Sequence, residues 1–341
     1  MILKERYVEN EVYSRELQGI FSSRFFVGAG ADFSQEGSYH SFLLGREYAL
    51  TCRYYDDKVR AFNNVCLHRN CLIDPPGRGV RRFRCGYHGW QYDKYGELRE
   101  APSFDISKIR HKQLVEFPVV DQDGFFFVGL RGAPDVAEVA VLVQKMGLSL
   151  LEPAFYADET VHQCNWKLLV ENVLDREHLS QVHGTSFVSA GMDSSAPVMA
   201  GGANYTLWSR TEPEDSGISH GLKHFRGARH HYLHGYVFPN LFLANTNNMI
   251  GFVNQLIPLN ANRSLLRWQL YELPALIAQP GVVREQVKKD AIIFAEKVIL
   301  EDRQVVEMCQ QGLSVAGPSL QIQAQEEQIL RFHAMYNKAL S

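Results

Sequence analysis

Short apolar runs dominate the first part of the chain after its opening segment. Between about Gly37 and Gly132, runs of four to eight residues such as YHSFLLG and GFFFVGL are rich in aromatic and β-branched side chains. Turn residues separate these runs. Short strands with such spacing predict a small all-β domain. Upstream, the apolar positions that follow Asn10 predict a short helix ending near Phe21.

A mixed periodicity follows after about Leu151. Apolar positions recur with helical spacing in residues 165–183, 281–311 and 325–340. Between residues 236 and 259, by contrast, the runs are typical of strands in a larger sheet. This part of the chain is therefore expected to combine helices with an antiparallel sheet.

These patterns divide the chain into an opening segment and two domains, so that the expected fold class is α+β. The opening segment is expected to pack with the larger domain. The predicted boundaries are 1–37 for the opening segment, 38–152 for the small all-β domain and 153–341 for the larger domain of antiparallel sheet and helices. At 341 residues, with 45% hydrophobic positions, the chain is long enough to bury two cores of this kind.

Composition and charge exclude several classes of protein. A net charge of −3 gives no basic excess for phosphate, so nucleic acid is not an expected partner. The sequence MILKERYVENE carries charges near its start, which argues against a secretory signal, and no apolar run is long enough to cross a membrane. Six cysteines in such a chain indicate a reducing compartment, so a cytoplasmic location is expected.

Two cysteines and two histidines form paired motifs inside the predicted β domain. One residue separates Cys66 from His68, two separate Cys85 from His88, and sixteen lie between the pairs. Two thiolates with two imidazoles suit a tetrahedral zinc ion or a Rieske [2Fe-2S] cluster. Because each pair offers one Cys and one His, both thiolates can bind one iron and both imidazoles the other, which favours the cluster. Zinc, and a chance combination of core cysteines with surface histidines, are the alternatives.

The amino-acid sequence around these pairs resembles that of a known family. CLHRN and CGYHGWQYDKYGEL are similar to the two cluster loops of the Rieske non-haem iron oxygenases, of the ring-hydroxylating oxygenase α-subunit type. The resemblance runs from VYSRELQGIF to EDRQVVEMCQQGL and covers nearly the whole chain. It implies a Rieske [2Fe-2S] domain followed by a catalytic non-haem iron domain. The implied cluster ligands are Cys66, His68, Cys85 and His88.

Three positions in these loops depart from the family's commoner residues. Leu67 and Gly86 stand where proline is common, and Asn70 stands where glycine is common. None of the three is a ligand, so these departures leave the expected cluster in place.

A second set of candidate ligands lies in NWKLLVENVLDREHLSQVHGTSF. Asp175 and His178 would share one face of a helix, whereas His183 would lie about 140° round from His178. The two histidines reach one metal only if the helix bends, unwinds or ends between them, and Gly184 favours an end nearby. Alone this pattern is weak, since a helical histidine is more often packed or exposed than bound to metal. The resemblance implies that His178 and His183 bind a mononuclear Fe(II).

The resemblance also implies a carboxylate as the third iron ligand. EDRQVVEMCQQGL resembles the C-terminal helix that carries it, which maps the ligand onto Asp302. Glu301 and Glu307 are the competing carboxylates on this stretch. Two imidazoles and one carboxylate leave positions on the iron open for dioxygen beside a substrate.

Asp175 has a separate catalytic role in this interpretation. In the family, the corresponding acid bridges an iron ligand of one subunit and a cluster histidine of its neighbour, here His178 and His88. Electrons then pass between subunits, which implies a head-to-tail ring and a homotrimer. Choline and carnitine monooxygenases tend to have Glu at this position, so Asp175 is more similar to the ring-hydroxylating branch.

The implied function is that of a terminal oxygenase component of a Rieske non-haem iron system. It would use O2 and electrons from a separate reductase or ferredoxin to hydroxylate or oxidatively demethylate a small organic substrate, expected to be aromatic. GAGADF lacks the third glycine of a dinucleotide fingerprint, in line with an external electron donor.

Three alternatives to this function stay open. Monooxygenation is favoured because the chain is shorter than most ring-dihydroxylating α subunits, and a cis-dihydroxylating aromatic ring dioxygenase α subunit is the nearest alternative. A non-catalytic Rieske electron carrier and a zinc-stabilised binding module are alternatives from other classes.

Overall fold

The computed structural model describes residues 2–148, 153–187, 198–211, 225, 227–228, 231–315 and 320–341. Contacts divide the chain into two compact units: the larger consists of Met1–Tyr13 with Ala137–Ser341, and the smaller of Ser14–Val136. The first strand belongs to the smaller unit because it pairs with a later strand there. The functional boundaries expected from the sequence stay a prediction.

The helices and the strands are each numbered in chain order. The helices are α1 (Asn10–Glu16), α2 (Ala137–Met146), α3 (Trp166–Leu174), α4 (Leu179–Val182), α5 (Pro274–Ile277), α6 (Gly281–Leu313) and α7 (Glu327–Leu340). The strands are β1 (Phe25–Ala29), β2 (Ser38–Leu44), β3 (Tyr48–Tyr55), β4 (Lys58–Asn63), β5 (Gly77–Val80), β6 (Gln91–Tyr92), β7 (Leu98–Glu100), β8 (Glu116–Phe117), β9 (Val119–Gln122), β10 (Phe125–Val128), β11 (Tyr156–His162), β12 (Val198–Gly201), β13 (Tyr205–Thr211), β14 (His231–Val237), β15 (Leu241–Thr246), β16 (Ile250–Asn260) and β17 (Arg263–Glu272). Within the described ranges, every helix is too short or too polar to cross a bilayer.

The smaller unit is built from antiparallel strands, as the short apolar runs predicted. A five-stranded sheet has the order β5-β2-β3-β4-β8, and β1-β10-β9 and β6-β7 form two smaller sheets. One cluster of buried side chains includes Phe62, Phe83 and Trp90 together with the thiols of Cys66 and Cys85. The two cysteines of the paired motifs therefore lie in the hydrophobic core of this unit.

A buried ion pair braces the two Cys/His loops. Arg53 and Asp74 are both fully buried, and Arg53 Nη1 lies 2.9 Å from each carboxylate oxygen of Asp74. The Asn64 side chain closes the base of the first loop, because it donates to the Asp74 carbonyl over 2.7 Å and accepts the Asp74 N–H over 2.8 Å. Arg53 also donates to the carbonyl of Arg81, shortly before Cys85. One guanidinium therefore links the segments that flank both loops.

The larger unit contains a seven-stranded antiparallel sheet in the order β11-β17-β16-β15-β14-β13-β12. Helix α2 packs on one face, where Asn245 Nδ2 donates to the Met146 carbonyl over 2.7 Å. The other face packs against α6 and α7 and is called the helix-covered face. There the Tyr156 hydroxyl donates to Glu296 of α6 over 2.7 Å, and the Tyr236 ring packs on α7. The mixed α+β prediction is thus confirmed.

The stretch predicted as one helix over residues 165–183 is two helices. Helix α3 ends before Asp175, whose backbone is extended at φ −74° and ψ 127°. The Asp175 carboxylate accepts the Glu177 N–H over 2.8 Å, a local bond that competes with continuation of the helix. The short α4 follows, with His178 before it and His183 after it. One break therefore precedes both histidines, and the second helix ends at His183, next to Gly184.

Candidate metal centres

The two Cys/His loops of the smaller unit have the same backbone geometry. The Cys66 N–H donates to the carbonyl five residues later, and the Asn70 N–H donates back to the Cys66 carbonyl, over 2.9 and 3.0 Å. Cys85 and Gly89 repeat these bonds at 2.8 and 3.1 Å. Asn70 and Gly89 both have positive φ, 57° and 73°. Asparagine tolerates this left-handed conformation better than most residues, which explains its presence where glycine is common.

These loops bring the four predicted cluster ligands together. Cys66 and Cys85 are 1% and 2% exposed, while the imidazoles of His68 and His88 lie closer to solvent with ring centroids 4.5 Å apart. Trp90 stacks on His68 at 4.9 Å and 7°, which fixes the plane of the imidazole. Burial, and then the adjacent His88, lower the pKa of His68. The His68 ring is therefore neutral at pH 7, as a metal ligand has to be.

Tyr92 contacts the sulfur of the first loop. Its hydroxyl oxygen lies 3.3 Å from Cys66 Sγ and accepts the Leu67 N–H over 3.0 Å. Burial raises the pKa of Tyr92, so the hydroxyl keeps its proton. Burial also raises the pKa of the Cys66 thiol, and the hydrogen bond with Tyr92 opposes that rise. A thiolate at Cys66 would therefore be stabilised by one hydroxyl donor.

The four side chains fit a Rieske cluster. Nδ1 of His68 is buried and has no hydrogen-bond partner, as expected of a lone pair that binds metal. Two buried thiols and two adjacent imidazoles are the donor set that places Cys on one iron and His on the other.

Three side chains of the larger unit converge in the manner of metal ligands. The Nε2 atoms of His178 and His183 lie 3.1 Å apart, and Asp302 Oδ1 lies 3.5 and 3.0 Å from them, respectively. Ligand atoms held at right angles, each about 2.1 Å from one metal ion, are about 3.0 Å apart. Asp302 Oδ1 is buried without a well-formed hydrogen bond. The spacing and the donor set therefore fit a mononuclear non-haem iron.

Opposite charges are strongly coupled within this group. Burial opposes ionisation of Asp302, but the two imidazoles outweigh it and lower the pKa of Asp302 to about 2. Burial likewise disfavours a charged His178, but the carboxylates of Asp175 and Asp302 outweigh it and raise the pKa of His178 to about 9. At neutral pH the metal-free group thus holds an anionic Asp302 and a protonated His178. A bound cation takes the place of that proton.

Glu301 is a hydrogen-bond partner of an iron-site histidine. Its carboxylate accepts Nδ1–H of His183 over 2.7 Å, the Ser186 hydroxyl over 2.6 Å and the Thr185 hydroxyl over 3.0 Å. Burial raises the pKa of Glu301, but these donors outweigh burial and the net shift is downward. The ring of His183 is therefore held in one orientation by an ionised carboxylate.

Of the three acidic candidates for the third ligand, the structure brings Asp302 to the histidine Nε2 atoms. Glu301 and Asp302 are adjacent on α6 and so project about 100° apart, which lets one of them meet Nε2 while the other meets Nδ1 of His183. Glu307 has different partners, the backbone N–H of Gln163 and the side chain of Arg303, both at 2.9 Å.

Asp175 lies beside His178 without a close hydrogen bond to it. Its Oδ2 is 3.6 Å from His178 Nδ1, and its side chain is 26% exposed. Because Oδ1 accepts the Glu177 N–H, Oδ2 is the oxygen available to a further donor. The structure therefore places Asp175 next to one predicted iron ligand with part of its carboxylate facing outwards.

Aromatic rings connect the iron site with the helix-covered face. Phe187 packs against His183 at 5.2 Å, against Phe294 of α6 at 5.1 Å and against Tyr232 of β14 at 6.4 Å. Tyr232 in turn stacks on His234 at 6.4 Å. Burial lowers the pKa of His234 to about 4, so this imidazole is neutral at pH 7. The surface that runs from the iron site onto the sheet is therefore largely aromatic and uncharged.

Tyr92 and Glu301 have contacts that the sequence analysis did not identify. Tyr92 stands in the second loop motif, but no spacing rule shows that its hydroxyl returns to Cys66. Glu301 was considered as a competing ligand and not as the partner of His183. The adjacent acids Glu301 and Asp302 could have indicated this role. Metal-bound histidines usually donate their second N–H to a carboxylate, so one acid can bind the metal while the other orients a histidine.

Two family models match the chain. The catalytic domain of the ring-hydroxylating alpha subunits matches residues 152–341, and the Rieske [2Fe-2S] domain matches residues 23–115.

Curated relatives include oxygenase components of both dioxygenases and monooxygenases. The large oxygenase component of the 2,4-dinitrotoluene dioxygenase system of Burkholderia sp. (strain RASC) is 30% identical over 65% of this chain and 51% of its own length. The glycine betaine monooxygenase oxygenase subunit of Chromohalobacter salexigens is 28% identical over 52% of this chain and 42% of its own length. The chain therefore spans about half the length of these relatives or less.

Solved structures share the fold over nearly the whole chain. A quaternary ammonium Rieske monooxygenase in complex with an inhibitor has a TM-score of 0.81 at 21% identity, with 100% of this chain and 95% of that chain covered. A naphthalene 1,2-dioxygenase variant bound to phenanthrene has a TM-score of 0.75 at 19% identity, with 99% and 92% covered. Since the catalytic-domain model alone covers more than half of the sequence, the chain belongs to the family of ring-hydroxylating alpha subunits and carries the Rieske [2Fe-2S] domain of that family.

Proposed function

We propose that the chain is the terminal oxygenase component of a Rieske non-haem iron system, which uses O2 and externally supplied electrons to oxidise a small organic substrate. The observation that carries this proposal is the presence, in one chain, of two matched Cys/His loops and of a convergent group formed by His178, His183 and Asp302. When bound, the cluster and the iron supply one-electron transfer and activation of dioxygen. The proposed cluster ligands are Cys66, His68, Cys85 and His88.

The chain's own side chains prepare both centres. Tyr92 presents its hydroxyl to Cys66 Sγ, and a donor at that position stabilises a thiolate. Glu301 fixes the ring of His183 so that Nε2 faces Asp302. The aromatic surface around Phe187 excludes water from one side of the iron site, which suits an apolar substrate.

Asp175 is the proposed bridge for electrons between subunits. Its exposed oxygen beside His178 is available to a donor from a second copy of the chain, and His88 of the neighbouring subunit is the expected donor. Such a bridge requires a closed head-to-tail assembly, so a homotrimer is part of the proposal. One related structure is described as giving insight into inter-subunit electron transfer. A separate reductase or ferredoxin is the proposed electron source, and the cytoplasm the proposed compartment.

Monooxygenation, as hydroxylation or oxidative demethylation, is the preferred reaction. Glycine betaine, choline and carnitine monooxygenases are among the relatives, which supports this preference. A cis-dihydroxylating aromatic ring dioxygenase α subunit is the second candidate. The similarity to the large component of 2,4-dinitrotoluene dioxygenase, together with Asp instead of Glu at position 175, favours that candidate.

Metal analysis tests the proposal directly. Iron and acid-labile sulfide are measured per chain on anaerobically purified protein, with an EPR spectrum after reduction. We expect close to three irons and two sulfides with a Rieske-type signal. Two irons and two sulfides, with no further uptake of Fe(II), would leave a Rieske electron carrier in place of an oxygenase. Zinc without sulfide would favour a binding module.

The bridge is tested by Asp175→Asn, with Glu177→Gln as a control on the adjacent exposed acid. We expect Asp175→Asn to keep both metal centres and to lose most of its turnover, because an amide is a weaker acceptor for a charged donor. Single-turnover reoxidation of the cluster should slow in parallel. Normal product formation by this variant would refute the bridge.

A further inference from the structure

The N-terminal segment, residues 2–7, is anchored inside the larger unit. Ile2 and Tyr7 are 1% and 0% exposed. The Ile2 N–H donates to Nδ1 of His333 on α7 over 3.1 Å. The Tyr7 hydroxyl donates to the carboxylate of Glu171 on α3, although 164 residues separate the two along the chain. The segment is therefore held by side chains of α3 and α7.

The Glu171 carboxylate is the point at which these contacts meet. Its Oε1 accepts the Tyr7 hydroxyl and lies 2.8 Å from Nε2 of His333. Because Nδ1 of His333 accepts the Ile2 N–H, Nε2 carries the hydrogen and donates it to Glu171. The side chain of Glu171 is only 14% exposed. We call Tyr7, His333 and Glu171 the Glu171 anchor, in which two other elements fix the position of one carboxylate on α3.

The ring of Tyr7 contacts α3 independently of its hydroxyl. Lys167, one turn before Glu171, is fully buried, and its ammonium lies 5.2 Å from the centroid of the Tyr7 ring and 5.6 Å from that of Tyr336 on α7. A cation over an aromatic face is attracted by the ring itself, so phenylalanine at position 7 keeps this contact. Replacing Tyr7 with phenylalanine therefore removes the hydroxyl contact with Glu171 selectively.

The last turn of α3 connects the Glu171 anchor with the iron site. The Asp175 N–H donates to the Glu171 carbonyl over 2.8 Å, the helix ends there, and His178 follows three residues later. Helix α3 also packs against α6, the helix that carries Asp302. Burial raises the pKa of Asp302, whereas the two imidazoles and, after them, the amide of Asn172 lower it. Glu171 and its neighbour Asn172 thus lie between the anchor and the third iron ligand.

The iron site depends on the placement of this turn. His178 and His183 flank the short α4, and an extended residue, Asp175, separates that segment from α3. A functional site requires its ligand atoms to be held within about 0.5 Å of the productive geometry. Since the segment with both histidines continues from the last turn of α3, a displacement of that turn displaces the histidines relative to Asp302.

We propose that Glu171 is a positioning residue of the iron site, and that the N-terminal segment, through Tyr7, is part of the scaffold of that site. The Glu171 anchor fixes the last turn of α3, and this turn places Asp175 and His178 relative to Asp302. The anchor acts through the backbone of α3 and not by binding the metal. This inference rests on the proposed function, since the site that it concerns is the proposed iron site.

Anaerobic Fe(II) titration in competition with a chelator tests the proposal, on protein that keeps its cluster but has lost the mononuclear iron. We expect Tyr7→Phe and Glu171→Gln each to lower the affinity for Fe(II) at least about threefold, as is typical of side chains that act on a site without touching its ligand. The EPR signal of the nitric oxide adduct of the bound Fe(II) should broaden, because the ligands are held less uniformly.

Tyr13→Phe is the matched control. Tyr13 is 6% exposed on α1, and its hydroxyl donates to the Pro258 carbonyl on β16 over 3.1 Å. This variant therefore loses the same atom from a buried tyrosine near the start of the chain, but its partner is on the sheet and not on α3. Its thermal midpoint should fall as it does for Tyr7→Phe, since each loses one buried hydrogen bond, while its affinity for Fe(II) should stay unchanged.

The double variant Tyr7→Phe/Glu171→Gln tests the route of the effect. If Tyr7 acts through Glu171, the two changes remove one shared interaction, so the loss of Fe(II) affinity in the double variant should be smaller than the product of the two separate losses. A loss equal to that product overturns the route through Glu171.

Stabilisation of the fold alone is the competing explanation. In that case Tyr7→Phe and Glu171→Gln lower the thermal midpoint but leave the Fe(II) affinity and the EPR signal unchanged, and this result overturns the proposal. An equal loss of affinity in Tyr13→Phe overturns it as well. Wild-type protein that binds Fe(II) beside unchanged variants overturns the role of Glu171 alone. Wild-type protein that takes up no third iron overturns the proposed function, and this inference with it.

Discussion

Replacing Glu301 with glutamine should weaken metal binding at a site that the side chain does not itself coordinate. In the structure its carboxylate accepts three hydrogen bonds, from His183 Nδ1 at 2.7 Å and from the hydroxyls of Ser186 and Thr185 at 2.6 and 3.0 Å. Glutamine keeps one acceptor oxygen and the shape of the side chain, but it loses the charge and one acceptor. The imidazole then becomes less basic and less firmly oriented.

The expected loss of metal affinity follows from the strength of hydrogen bonds between a carboxylate and a metal-bound histidine. Mutation of a carboxylate that orients a metal-bound histidine typically costs 10- to 100-fold in metal affinity. At about 1.4 kcal/mol for each factor of ten, this corresponds to about 1.4–2.8 kcal/mol of binding free energy. The loss of metal-binding free energy in the glutamine variant should lie near the lower end of this range, because one acceptor remains. Glu301→Ala, which removes every acceptor, should lie near the upper end.

The assay is an anaerobic Fe(II) titration of protein that retains its cluster but has lost the mononuclear iron, in competition with a chelator. Glu307→Gln is the matched control, since Glu307 lies on the same helix and accepts a hydrogen bond from the Gln163 backbone instead of a histidine. Acid-labile sulfide should be the same in all samples. Unchanged iron affinity in both Glu301 variants, or an equal loss in Glu307→Gln, would refute the reasoning.

Three further predictions concern other parts of the chain. Tyr92→Phe removes the hydroxyl beside Cys66 Sγ and should lower the reduction potential of the cluster, since hydrogen bonds to the sulfur favour the reduced form; redox titration of the cluster checks this, and an unchanged potential contradicts it. Asp74→Asn leaves the Arg53 guanidinium buried without its counter-ion and should cost about 3–5 kcal/mol of stability, measured by thermal loss of the cluster's visible absorbance; a midpoint equal to that of the wild type would contradict it. Burial lowers the pKa of His234 to about 4 from an ordinary value near 6.5, so the unfolded chain takes up the proton first as the pH falls. Stability should therefore fall between pH 6.5 and pH 4 by at most about 3 kcal/mol from this group, and His234→Phe should flatten that part of the pH profile of the thermal midpoint.

The parts of the site that depend on local sequence were predictable. Each cluster loop is a tight turn whose Cys and His lie within four residues, so their spacing directly reflects the geometry of the site. The same holds for the strands between residues 236 and 259, whose alternation is set by the two faces of one sheet. In these regions the nearest neighbours in sequence are also the nearest neighbours in space.

The parts that depend on tertiary packing were not predictable in the same way. The periodicity of residues 165–183 favoured one helix. Hydrophobic spacing does not show that the Asp175 carboxylate accepts the Glu177 N–H, a local hydrogen bond that competes with the helix where α3 ends. Whether Glu301 or Asp302 meets the histidine Nε2 atoms is decided by the rotation of α6 against the segment around His183. The pairing of Asn254 with Trp268 depends on the register of β16 against β17, and a shift of one residue would turn Asn254 to the other face.

Similarity alone does not select the substrate of this chain. The relatives that oxidise aromatic rings and those that oxidise quaternary ammonium compounds match it at 30% and 28% identity, a difference too small to favour either class. The choice has to come from residues that face the substrate. On the helix-covered face the described side chains around Trp268 include the aromatic rings of Tyr156 and Phe252, and the carboxylate residue Asp158 stands opposite Trp268 on β11. Aromatic rings suit a neutral ring, and they also attract a quaternary ammonium group, the more so beside a carboxylate. Since these described side chains can serve either class of compound, calorimetric binding of a neutral aromatic ring and of choline to the same holoprotein is the comparison that decides between the two classes of relative.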